Sequence, residues 1–183
     1  MPKYSLNRKL SVIACATAIA IIGIDFNMAS KPVNADVIDL SCPVGGETAT
    51  YSPGLTNTPQ LTTASVDGAQ TTCLISSDTT IKSATYEFTL QANLSCLDLG
   101  LSPFDITYKF NNGKSSTVHY VSNQFVRVGG QTVLTTIGTV ISGEFVGDMA
   151  TRTITLTTLS PQQCATSGVT TNTGVVTLQF TSL

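Results

Sequence analysis

Tryptophan is absent from this chain, histidine occurs once, and charged residues make up only 11% of it. So little charge excludes the composition of a disordered chain and the basic footprint of a nucleic-acid binder. A single histidine leaves no material for a His-rich metal site and little for acid–base chemistry near neutral pH. The sequence has no C-x-x-C pair, no G-x-S-x-G elbow and no dense D-x-D-x-D run. It therefore offers no support for zinc, for an α/β-hydrolase nucleophile or for a calcium loop. Long apolar runs are missing too. The longest, Leu10 to Ile24, is fifteen residues and is bounded by Asp25, short of the about 20 that a membrane-spanning helix needs.

What is present begins with Lys3, Arg8 and Lys9, followed by that apolar run and then by Pro32-Val33-Asn34-Ala35. This is the order of an export signal: a basic start, an apolar middle and a small-residue cleavage site. Val33 and Ala35 occupy the −3 and −1 positions, so residues 1–35 are expected to be a signal peptide and residues 36–183 one secreted domain. Cys15 sits inside the apolar stretch, not after it, so it does not make a lipoprotein box. After removal of Lys3, Arg8, Lys9, Lys31 and Asp25, the remaining chain has five basic (9 − 4) and ten acidic (11 − 1) residues, a net charge of −5. That charge disfavours nucleic acid and acidic lipid as partners. Four cysteines remain, Cys42, Cys73, Cys96 and Cys164, and outside the cytosol an even number reads as two disulfides. Spacing allows three pairings. Cys42 with Cys73 and Cys96 with Cys164 is preferred because each bond then ties neighbouring segments.

Threonine dominates the remainder, with 29 among the 148 residues from Asp36 to Leu183. Stiff at χ1, it suits a pleated, half-wet surface, whereas strong helix formers are scarce. Apolar residues alternate with polar ones in Ala84-Tyr86-Phe88-Leu90, Phe104-Ile106-Tyr108-Phe110, Val133-Thr135-Ile137, Ile154-Leu156 and Val176-Leu178-Phe180. No window sustains a helical period. Turn signals stand at Pro53-Gly54, Asp67-Gly68, Asn112-Gly113, Gly129-Gly130, Gly147-Asp148 and Ser160-Pro161. The expected fold is all-β: a single antiparallel β-sandwich, immunoglobulin-like or Greek-key, of about 8–9 strands with two disulfides. One hairpin can be read in register. A three-residue loop Asn111-Asn112-Gly113 sets Phe104 opposite Tyr120 and Ile106 opposite Val118 on one face. On the other face it sets Asp105 opposite His119 as a possible cross-strand pair.

Asp105 and His119 resemble two thirds of a hydrolytic triad, but exposed pairs of this kind are usually solvated surface. Asp98, Asp105, Glu144 and Asp148 show no spacing that forces two carboxylates together, so a glycosidase pair is not indicated. Among the tyrosines that could form a sugar platform, alternation assigns Tyr86, Tyr108 and Tyr120 to packing. Tyr51 is the exception, since Tyr51-Ser52-Pro53-Gly54 reads as a strand entering a turn. Asn93-Leu94-Ser95 matches a glycosylation sequon, a tripeptide common by chance.

The segments Cys42-Pro43-Val44-Gly45-Gly46-Glu47-Thr48, Tyr51-Ser52-Pro53-Gly54-Leu55-Thr56 and Leu94-Ser95-Cys96-Leu97-Asp98-Leu99 resemble a group of small exported, Thr-rich, four-cysteine bacterial proteins of actinobacterial type and uncharacterised function. The resemblance implies secretion and a β-sandwich, and carries over no active-site residue. The function expected is therefore that of a secreted or cell-surface, non-enzymatic interaction module with no cofactor and no metal. Its partner would be an extracellular protein or glycan. Two alternatives stand beside it: a pilus or surface-layer subunit whose segment Val175 to Thr181 pairs with a neighbour's open edge, and a hydrolase using His119.

Overall fold

The computed structural model describes residues 36–100, 103–128, 131–157 and 159–182. The expected signal peptide, residues 1–35, and the Gly129-Gly130 turn signal lie outside the described residues. The chain forms β1 (Val37–Cys42), β2 (Val44–Leu55), β3 (Gln60–Thr72), β4 (Ile75–Ser76), β5 (Ala84–Leu94), β6 (Phe104–Phe110), β7 (Ser115–Val128), β8 (Gln131–Gly143), β9 (Met149–Leu156), a short helix α1 (Pro161–Ala165) and β10 (Val169–Ser182).

The strands do not divide into two stacked sheets. They follow one another in the order β2-β3-β5-β6-β7-β8-β9-β10, and β10 then pairs with β2. The result is a closed antiparallel barrel of eight strands. This corrects the expected β-sandwich, immunoglobulin-like or Greek-key. The physical reason is that an inward/outward period of two is common to sandwiches and barrels. Only the pairing of Val169 through Val175 with Leu55 through Gly46 decides between them. Neighbouring strands in the barrel are also successive along it, so the topology is up-and-down and contains no Greek-key crossing.

β10 is long enough to serve two partners along one edge. Its first half pairs with β2 and its second half with β1, while β9 lies along the opposite edge. The change from β1 to β2 falls at Pro43, which has no N–H to give to a ladder. β1 carries the small β4 on its outer side. One disulfide, Cys42–Cys73, joins this corner to the end of β3. The other, Cys96–Cys164, joins the β5–β6 loop to α1 at the far end of the barrel. There the Cys96 N–H donates to Thr56 O (2.7 Å) and the Asn57 N–H to Cys164 O (3.0 Å), so three connections are latched together. Ser160-Pro161 starts α1, with the Ser160 hydroxyl accepting from the Gln163 N–H, the usual role of such a pair at a helix start.

Inward positions are mostly apolar and outward ones mostly Thr and Ser, with hydroxyls meeting across strands at Thr107–Thr117 (3.0 Å) and Thr135–Thr153 (3.3 Å). A membrane-embedded barrel has the opposite pattern, an apolar band outside. Among the described residues, no helix is long and apolar enough to cross a membrane. The β6–β7 hairpin closes with Phe110 N–H donating to Lys114 O and Gly113 at φ 85°, a left-handed position that glycine takes without steric cost. Two other turn signals are not turns. Pro53-Gly54 lies inside β2 and Asp67-Gly68 inside β3.

Candidate functional site

The barrel interior holds the chain's most unusual chemistry. Ala150, Ile154 and Leu156 of β9 point inward, and so does Arg152, whose side chain is 1% exposed. A lone buried cation in a low-dielectric core is prohibitively costly. Here its guanidinium is paired with the Glu47 carboxylate, which β2 brings across the interior. Burial is the largest influence on Arg152 and works against its charge, but Glu47 together with Tyr86, Tyr108 and Tyr120 outweighs it and the net shift is upward, so the guanidinium stays protonated.

The approach to Glu47 depends on one small residue. Glu47 is opposite Gly68 on β3, and Gly68 is opposite Tyr86 on β5. A Cβ at Gly68 would come within 2.3 Å of the Tyr86 ring. With only hydrogen there, the ring lies across Gly68 and its hydroxyl donates to Glu47 Oε2 at 2.9 Å. Arg152 also stands over the rings of Tyr86 (5.5 Å) and Phe88 (5.9 Å), positions that favour a cation. Behind them the Tyr108 and Tyr120 hydroxyls share a hydrogen bond of 2.8 Å.

These phenols are all shifted upward. Burial, helped by Glu47, pushes Tyr51 up to about 12. Burial also raises Tyr86, Tyr108 and Tyr120, with Tyr120 adding to the shift at Tyr108. A phenol that holds its proton more tightly when folded stabilises the fold fully below its unfolded value of 10.0 and loses that contribution as pH climbs toward about 12. In an alkaline titration followed by tyrosinate absorbance, the four interior tyrosines are therefore expected to ionise together with unfolding. Ionisation of these four near pH 10 while circular dichroism stayed native would contradict this.

Beside the ion pair lies a cavity lined by Ala49 and Ala64 and by larger apolar side chains, including Phe88, Leu90, Leu99 and Leu134. Its volume is about 40 Å³. The cavity lies against a break in strand pairing. β5 joins β6 only through Ala84–Phe110 and Thr85–Lys109, although β5 continues to Leu94. From there the wall is continued by stacked rings, Phe88 on Phe104 and Phe104 on Tyr120, each 5.4 Å between centres. The β5–β6 loop contributes a stopper. Ser95 Oγ accepts from the Leu97 and Asp98 N–H groups, and Asp98 Oδ1 accepts from Gly100 N–H (2.7 Å). The turn so formed buries Leu99 to 4% exposure.

Of the residues singled out in the sequence, Tyr51 lines the cavity and Tyr86 binds Glu47, with Tyr108 and Tyr120 behind them, while the others lie elsewhere. Asp105 and His119 face each other on the outer wall, with Oδ1 and Nδ1 2.6 Å apart and the side chains 56% and 44% exposed. Such an exposed pair is worth less than about 1 kcal/mol. The wall itself separates it from the cavity. Cys96 and Cys164 close the barrel end next to the Leu99 turn. Asp98 shapes that turn, and Glu144 joins Lys114 (3.0 Å), which also meets Asp78 (2.9 Å). Asp148 is buried, and burial together with nearby Asp39 raises its carboxyl. Tyr51 is not the exposed platform expected of it, since it is 8% exposed and lines the cavity. Arg152 and Glu47 were missed. The signal available was a charged residue at the apolar parity of each strand: Arg152 between Ala150 and Ile154, and Glu47 in phase with Ala49 and Tyr51.

The fold and site define an eight-stranded up-and-down barrel with a neutralised ion pair beside an apolar side pocket. Compared with known proteins, the chain matches no family model, no curated sequence and no solved structure.

Proposed function

We propose that the protein is an exported, non-catalytic binding module that holds a small, mainly apolar molecule in the side pocket of its barrel. The observation that carries this reading is the apolar cavity inside the barrel, lined in part by Phe88, Leu90 and Leu94 of β5, over the stretch where β5 has no β6 partner. An eight-stranded barrel is just wide enough to be filled by side chains or to hold one small ligand. Ala49 and Ala64 leave part of this one unfilled. Two disulfides, the export-type amino terminus and the resemblance to exported four-cysteine bacterial proteins support an extracellular or envelope setting. The surface-subunit alternative has less support, because β10 already has partners along both edges and would have to leave the barrel to complete a neighbour. The hydrolase alternative rests on His119, which faces away from the cavity.

A thermal-unfolding screen of neutral apolar molecules tests the proposal. At least one compound is expected to raise the unfolding midpoint of the native protein and of His119→Ala, but not that of Ala64→Phe, whose ring fills the cavity. An equal shift in Ala64→Phe would overturn the proposal. So would retention of an extracellular protein or glycan by a protein that no small molecule stabilises, since binding would then lie on the outer wall.

A further inference from the structure

Resting on that function, we infer that the side pocket selects an electrically neutral molecule whose apolar body carries one hydrogen-bond acceptor, such as a ketone, ester or amide carbonyl. The apolar requirement comes from the lining, in which only Glu47 and Arg152 are charged. The acceptor requirement comes from Arg152. Its side chain is 1% exposed, it lines the cavity, and its Nε–H has no hydrogen-bond partner among the described residues. Buried donors are almost always paired, so an occupant that supplies an oxygen gains a contact that a pure hydrocarbon cannot make.

Neutrality follows from charge balance. Glu47 already compensates Arg152 at contact distance, and Tyr86 donates a further hydrogen bond to the same carboxylate. A ligand carboxylate would add a second negative charge with no cation left to balance it, in surroundings where desolvation is costly. A ligand ammonium would meet the guanidinium. Size is bounded as well. About 40 Å³ of water-sized space, at roughly 10–15 Å³ per water, holds roughly three waters. A ring of six heavy atoms needs a cavity of about 150 Å³, so it enters only as Phe88 and Leu90, which are partly buried, move outward.

The test uses cyclopentanone, cyclopentane and cyclopentanecarboxylate as matched probes, followed through the methyl resonances of Ala49, Ala64 and Leu134 in the full oxidised protein. Cyclopentanone is expected to bind at least about tenfold more tightly than cyclopentane, the low end of the gain from a hydrogen bond with a charged donor, and more tightly still than the carboxylate. Equal binding of ketone and hydrocarbon would overturn the acceptor requirement while leaving a binding pocket in place. Tightest binding of the carboxylate would overturn neutrality. Failure of all three probes to move any of these methyls would remove the pocket, and the proposed function with it. Glu47→Gln supplies an independent reading, since it leaves the guanidinium uncompensated and is expected to reverse the order in favour of the carboxylate. An unchanged order in a folded Glu47→Gln protein would also overturn the inference. The three-probe comparison on the native chain decides the matter if that variant does not fold.

Discussion

Reduction of both disulfides is expected to unfold the barrel at about 37 °C. Cys42–Cys73 spans 31 residues and Cys96–Cys164 spans 68. Chain-entropy arguments assign loops of these sizes about 4 kcal/mol each. The two loops do not overlap in sequence, so their effects add to about 8 kcal/mol, against a total stability of roughly 5–15 kcal/mol for an ordinary domain. The bonds also stand at opposite ends of the barrel. Cys42–Cys73 holds the corner where β10 changes partner, and Cys96–Cys164 latches the loop that carries Leu99. Urea unfolding with and without dithiothreitol measures the sum, and the paired variants Cys42→Ser/Cys73→Ser and Cys96→Ser/Cys164→Ser measure the parts. The longer loop is expected to cost slightly more. A urea midpoint that did not move on full reduction would show that the strand ladders alone hold the barrel closed.

The second large effect is expected at Arg152. Replacing it with Met preserves much of its volume and leaves the Glu47 carboxylate buried without its cation, which costs about 3–5 kcal/mol. The loss comes from the stranded charge and not from a favourable ion pair, because desolvation consumes most of what a buried pair gains. Arg152→Met combined with Glu47→Leu is therefore expected to recover most of the lost stability. Tyr86 then loses its acceptor, so a residual loss of about 1 kcal/mol or more remains. Chemical denaturation of the two single variants and the double variant forms the cycle. A double variant no more stable than Arg152→Met would mean that the pair, and not merely its neutrality, stabilises the fold. The same cycle separates the site's two roles, since the double variant retains the cavity but loses the Nε–H.

Much of the local structure was legible because it depends on neighbours in sequence. The β6–β7 hairpin could be read in register, since a three-residue loop ending in glycine leaves only one alignment that keeps Ile106, Val118, Phe104 and Tyr120 on a common face. The inward parity of Ala84, Tyr86, Phe88 and Leu90 was equally plain. β8 was harder. Val133, Thr135 and Ile137 stood out as its apolar row, yet they face outward, while Thr132, Leu134, Thr136, Gly138 and Val140 face the interior. Two of the inward residues are threonines and one is the glycine where β7 crowds the wall: a Cβ at Gly138 would lie 2.2 Å from His119 O. Hydropathy therefore pointed to the wrong face. Asp67-Gly68 failed as a turn for a related reason, because its glycine makes room for a tyrosine from the next strand, a need that arises only once β3 and β5 are paired.

The amino-acid sequence by itself determined an all-β body with alternating faces, the residues that form its two disulfides, and the geometry of its tightest hairpin. Each of these follows from backbone preference, period-two patterning or turn stereochemistry acting over a few residues. Whether the strands would close on themselves, and what would meet inside, was decided only by the tertiary structure. Closure requires β2 and β10 to find each other from opposite ends of the domain. Glu47 and Arg152 are separated by 105 positions, and each is an isolated charge in its own strand. Only closure removes both from water and obliges them to neutralise one another, and the same event leaves the apolar pocket at their side.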